Sequence, residues 1–177
     1  MNKITLAMAL FAASTTASMA ASNNTITFQG EVTAQTCSVT VNGLEANPMV
    51  LLPTVSSADL DTTGKTAGKT TFTLGVSGCA PDSSDVDIKT VFVGNQVTTS
   101  GNLKNTGTAA NVELQLLKDT TTTTTGIDLN SGLPQEGIVL KANQTSAEHD
   151  FAVQYLATGQ AAPGSVIASV QYAVSYL

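Results

Sequence analysis

Apolar side chains recur at every second position through most of this chain, a period that belongs to strands rather than helices. In residues 70–76, Phe72, Leu74 and Val76 share one parity. Val112, Leu114 and Leu116 alternate with Glu113 and Gln115. Phe151, Val153 and Tyr155 alternate with Ala152, Gln154 and Leu156, and Val170, Tyr172, Val174 and Tyr176 alternate with Gln171, Ala173 and Ser175. Residues 86–93 form a β-branched run. Each segment predicts a strand with one buried face. Between them lie turn sequences: Asn42-Gly43, Ala80-Pro81-Asp82, Gly94-Asn95, Gly101-Asn102, Ser131-Gly132 and Pro163-Gly164. Several strands joined by such turns predict an all-β, antiparallel sandwich in a single domain. The six threonines of residues 120–125 have no apolar parity and predict an exposed strand edge or loop. Leu133-Pro134 through Gly137 predicts a further loop.

The first residues follow a different rule. Met1-Asn2-Lys3 is a short positive start, residues 4–13 are an apolar run, and Ser18-Met19-Ala20 sets small residues at a cleavage position. Residues 1–20 are therefore expected to be a secretory signal peptide. The apolar run is too short to span a bilayer, so no membrane insertion is expected.

Export sets the reading of the cysteines. Cys37 and Cys79 both follow the signal peptide. In an oxidising compartment an isolated pair is expected to form a disulfide, since a metal site needs more ligands than two cysteines and the single His149. Closing a loop of that length stabilises by about 4 kcal/mol through lost unfolded-state entropy.

Charge excludes some partners. The chain carries 13 Asp and Glu against 7 Lys and Arg, a net charge of −6, and none of the 7 is arginine. Nucleic-acid binding needs a basic footprint, and anionic membrane surfaces attract basic chains. Neither partner is expected.

Catalysis finds little to work with. Glu148-His149-Asp150 sets the only histidine between two acids. Neighbours on a strand point to opposite faces, so the three cannot converge. There is no nucleophile elbow and no phosphate loop. His149 is expected to be a surface or half-buried structural residue. No enzymatic activity, metal or cofactor is expected.

The two ends carry the sharper information. The alternation of the last strand runs to Tyr176, the penultimate residue, with no turn and no later strand to pair with. An unpaired apolar edge is an aggregation hazard, so that strand needs a partner from elsewhere. Near the start, Ile26, Phe28, Gly30, Val32 and Ala34 alternate with polar residues, a full strand pattern ahead of Cys37. A glycine on its apolar face suits a place where another chain approaches closely. The plain reading, strand one of the sandwich, stands beside that one.

In these residues the chain resembles the subunits of chaperone–usher fimbriae, the type 1 and related major pilins. The matching pieces are Phe28-Gln29-Gly30-Glu31-Val32 after a signal peptide, Cys37-Ser38-Val39 with Cys79, and Leu51-Leu52-Pro53-Thr54-Val55. Gly164, fourteenth from the end, and the penultimate Tyr176 complete the set. The resemblance implies an incomplete immunoglobulin-like sandwich lacking its final strand, with an N-terminal donor-strand extension over residues 21–34 and the domain over residues 35–177. It implies a structural subunit of an adhesive fimbria that polymerises head to tail by donor-strand exchange with identical or related subunits. A periplasmic chaperone would first fill the groove, and exchange would follow at an outer-membrane usher. Ile26, Phe28, Val32 and Ala34 would be donor side chains, and Gly30 the position where a side chain would clash. Val170, Tyr172, Val174 and Tyr176 would form the groove strand that touches the chaperone, and Gly164 would mark the turn into it. The protein would pass through the periplasm to the cell surface and work in cell adhesion as part of the fibre. A minor adaptor or tip-proximal subunit would share every motif. A secreted carbohydrate-binding sandwich would have to build its sugar platform without any tryptophan.

Overall fold

A computed structural model describes residues 32, 37–46, 48–121 and 125–176. The chain divides into two units, Met1–Gly30 and Glu31–Leu177, and all described residues belong to the second. Among the described residues eight strands follow one another: β1 (Ser38–Val41), β2 (Thr66–Ser77), β3 (Val86–Gly94), β4 (Leu103–Lys104), β5 (Val112–Leu117), β6 (Gln135–Leu140), β7 (Ser146–Ala157) and β8 (Val170–Ser175). One short 3-10 helix, Ser57–Leu60, interrupts them. The Ser56 hydroxyl accepts from the Ala58 amide and caps it.

The strands form two sheets. One runs β1-β2-β7-β5-β4 and the other β6-β3-β8, with every pairing antiparallel. Between them lies an apolar core that includes Leu74, Ile88, Leu116, Ile138, Leu140 and Phe151. Phe72, Phe92 and Phe151 pack ring on ring, with centroids 5.1–6.4 Å apart, two of the three pairs edge to face. Burying a ring such as Phe151, which is 0 % exposed, contributes about 1.5–3 kcal/mol.

Local chemistry fixes the register. Asn42 and Gly43 both have positive φ and close a two-residue hairpin between Val41 and Leu44, the backbone such a turn requires. The Asn42 side chain also accepts from the Thr73 amide at 2.8 Å, which pins that hairpin to β2. Cys37 and Cys79 are joined in a disulfide. It staples the start of β1 to the end of β2, where Ser38 pairs with Ser77.

Three expectations change. Gln135, Glu136 and Gly137 belong to β6 rather than to a loop. Gly137 has φ +152, and any Cβ there would come within 2.5 Å of the His149 ring. The glycine that reads as a turn residue is thus a close approach inside a strand. Second, β7 buries both faces over its second half: Phe151, Ala152, Val153 and Gln154 are all buried. The chain after β5 folds back over it, since the Thr120 carbonyl accepts from Lys69 on β2, two strands away in the sheet. Beneath, Gln154 donates to Gln115 at 2.8 Å, which satisfies two buried amides with each other. Third, β5 is likewise buried on both faces from Leu114 to Leu117. Of the threonine run, Thr120, Thr121 and Thr125 are exposed, and residues 122–124 lie outside the described residues.

Candidate functional site

The sandwich is closed along one side and open along the other. β8 pairs with β3 through six residues, from Lys89↔Ser175 to Gly94↔Val170. The order β6-β3-β8 leaves its other edge free of any described strand. Across from it runs the extended segment 48–52, which joins neither sheet. Val50 and Leu52 turn inward onto the core, while Met49 and Leu51 are 76 % and 79 % exposed. Between these two walls lies an apolar groove of about 440 Å³. Its floor includes Phe72, Phe92, Leu114, Leu116 and Val153, and Val170 and Tyr172 line its edge.

Val170, Tyr172 and Val174 are half-buried against the core, as is Tyr176 beyond the strand, whereas Gln171 and Ala173 face out. These apolar side chains are only partly covered. An apolar groove beside a free strand edge has the geometry for accepting one more strand: main-chain groups pair along the edge and alternate side chains fill the space.

Val170 and Tyr172 thus lie on the groove, and Val174 and Tyr176 continue the same inward row toward the disulfide end. Gly164 stands six residues before β8. It sits at a bend that presses against residues 108–109, and a Cβ there would lie 2.3 Å from the Ala109 nitrogen. Its missing side chain therefore permits a close chain crossing. Val32 is fully exposed. Ile26, Phe28, Gly30 and Ala34 lie outside the described residues.

Sequence reasoning did not identify the second wall. Its trace was there: Val50 and Leu52 alternate with Met49 and Leu51 between Pro48 and Pro53. The prolines argue against a paired central strand, and the segment is extended yet unpaired.

The remaining chemistry is structural. The His149 ring packs edge-on to Phe151 at 4.7 Å, and its Nε2 donates to the Lys118 carbonyl at 2.7 Å. Asp150, on the opposite face, accepts from Thr73 at 2.6 Å. Among the described residues no group of three His, Cys, Asp or Glu could hold a metal ion. Tyr155 donates its hydroxyl to the Pro53 carbonyl at 3.2 Å, and burial pushes its phenol above the ordinary tyrosine range.

Among the described residues, then, the two-sheet sandwich carries no strand on the outer edge of β8, beside the apolar groove. The family described as Fimbrial protein matches residues 26–177. The F17 fimbrial protein of Escherichia coli is 34% identical over 99% of this chain and 99% of its own length. The major fimbrial subunit SMF-1 of Stenotrophomonas maltophilia is 33% identical over 88% of this chain and 94% of its own. Among solved structures, the P pilus rod subunit PapA shares the fold at a TM-score of 0.57 and 12% identity, covering 79% of this chain and 99% of that one. A chaperone–usher pilus structure matches at 0.57 and 16% identity, covering 88% of this chain and 96% of that one. The chain belongs to the fimbrial protein family. It is a structural subunit of a fimbria, with an incomplete immunoglobulin-like sandwich as its fold.

Proposed function

We propose that this subunit polymerises by strand exchange, its groove taking the N-terminal strand of the next copy. The observation that carries this reading is the apolar groove between β8 and residues 48–52, open along the free edge of the last strand. The donor is residues 26–34, whose Ile26, Phe28, Val32 and Ala34 supply alternate apolar side chains. Residues 1–20 direct export, residues 21–34 form the extension, and residues 35–177 form the receiving domain. Donor and acceptor surfaces differ, so the contact is head to tail and grows an open filament rather than a closed ring. A periplasmic chaperone covers the groove before assembly, and an outer-membrane usher hosts the exchange. The fibre lies outside the cell and serves adhesion. The likeness over 88% of this chain to SMF-1, a protein described as a major subunit, supports a place in the fibre shaft.

A denaturing gel of sheared surface material tests this, loaded with and without boiling in acid. The expected result is a ladder of subunit multiples that collapses to one band after acid. A single monomer band under both conditions would sink the reading.

A further inference from the structure

The two walls of the groove are held in different ways. β8 pairs with β3 through six residues. Residues 48–52 join neither sheet. Val50 and Leu52 seat that wall on the core, but apolar contact is non-directional and leaves a chain free to slide. A directional tie comes just past its end. The Tyr155 hydroxyl donates to the Pro53 carbonyl at 3.2 Å. Among the described residues this is the one hydrogen bond that joins residues 48–55 to a strand of either sheet.

Tyr155 shares the inward face of β7 with Phe151 and Val153. A phenol placed in such an apolar row needs a partner for its hydroxyl, and Pro53 supplies it. Burial pushes the phenol above the ordinary tyrosine range, so the hydroxyl stays a donor. The fold also clears space for the ring. β2 bulges between Ala67 and Thr70, and Ala67 is the partner of Tyr155. Gly68, within the bulge, has φ +62. A Cβ on Gly68 would stand 2.8 Å from the Tyr155 ring and 3.0 Å from Val55. Ring and wall therefore meet over a glycine that the bulge sets beneath them.

Proline carries the tie into the wall. The ring of Pro53 fixes its own φ and holds Leu52 before it to extended backbone. With Pro53 held, the direction in which Leu52 and Val50 run back along the groove is held too. On β7 the groove is lined by Val153, and Tyr155 stands two residues beyond. Tyr155 thus acts on the groove through the wall.

We infer that Tyr155 is a positioning residue for assembly, holding residues 48–52 at the spacing from β8 that one added strand fills. The inference rests on the strand-exchange reading. A wall already in place spares an incoming strand the cost of ordering it. The tie therefore strengthens each junction without touching the donor.

Tyr155→Phe keeps the ring and removes the hydroxyl. Sheared fibres of the native and variant chains are warmed in detergent, and the lifetime of the ladder is followed on gels. Hydrogen exchange on the same fibres, read by mass spectrometry, reports which amides loosen. The expected result is a variant ladder that forms and then collapses about two- to tenfold faster, the scale of one lost hydrogen bond. Exchange should rise at residues 49–56 and stay unchanged in β2 and β7. Exchange raised as much in β2 and β7 as in the wall would assign Tyr155 to general stability and overturn the inference, leaving strand exchange standing. An unchanged ladder lifetime would do the same. No ladder from the native chain would overturn both.

Discussion

β7 and β8 read alike in the sequence and behave differently in the fold. Both alternate apolar and polar residues, Phe151, Val153, Tyr155 against Val170, Tyr172, Val174. β7 has a strand on each side, β2 and β5, and folded-back chain over its outer face. Among the described residues β8 has only β3 beside it, and its inward side chains are half-buried. The alternation encodes a strand that wants to be covered. It does not encode who covers it. In β7 the cover comes from the same chain, so its residues set stability. In β8 the proposed cover is a second copy, so its residues would set assembly.

The comparison is broken most severely by charge in the groove. Tyr172→Asp and, on the donor side, Phe28→Asp are each expected to abolish the fibre ladder, because a carboxylate in an apolar groove without a partner is strongly disfavoured. Full-length fibres from either variant would contradict the assignment of β8 to assembly. Phe151→Ala tests the other arm. Emptying a fully buried site is expected to cost about 3–5 kcal/mol, read as a lower denaturation midpoint of the subunit itself. A Phe151→Ala subunit as stable as the native one would mean that β7 is not the stability strand.

Smaller effects sharpen the contrast. Gln154→Ala leaves the buried Gln115 amide without the partner it has at 2.8 Å, a loss of about 1–3 kcal/mol, with the ladder retained in whatever subunit folds. The smallest effect lies at the far surface. Lys141 and Asp85 form an exposed ion pair at 2.8 Å that holds the Asp85 carboxyl below its usual range. A depressed carboxylate stabilises the fold above its unfolded pKa, and that contribution is lost as pH falls through the lowered folded value. Asp85→Asn should therefore lower neutral stability only slightly, because the pair is exposed, and make stability fall a little less steeply in acid. A large loss at neutral pH would assign that pair a role the geometry does not suggest.

The long strands were legible in the sequence because each carries enough alternation to betray its period. β2, β5, β7 and β8 all lie where Phe72, Leu114, Phe151 and Tyr172 place them. β1, β4 and β6 were not, since four residues, two residues and a glycine-bearing run give too few periods to count. The doubly buried faces of β5 and β7 escaped for another reason. Gln115 and Gln154 read as solvent-facing, and only the fold brings them together under returning chain. At the candidate site, the row from Val170 to Tyr176 could be read as a strand face because four apolar side chains keep a period of two. The wall at residues 48–52 could not, because two prolines hide a four-residue alternation, and its place opposite β8 depends on tertiary structure alone.

Co-expression of the two crippled subunits tests the central claim most directly. Tyr172→Asp keeps its donor strand and loses its groove; Phe28→Asp keeps its groove and loses its donor. Neither should polymerise alone. Together, with both chains detected in the cell, head-to-tail exchange predicts a single acid-sensitive dimer and nothing longer. A ladder extending beyond the dimer would contradict the account, because no second junction can form if assembly depends on that strand and that groove.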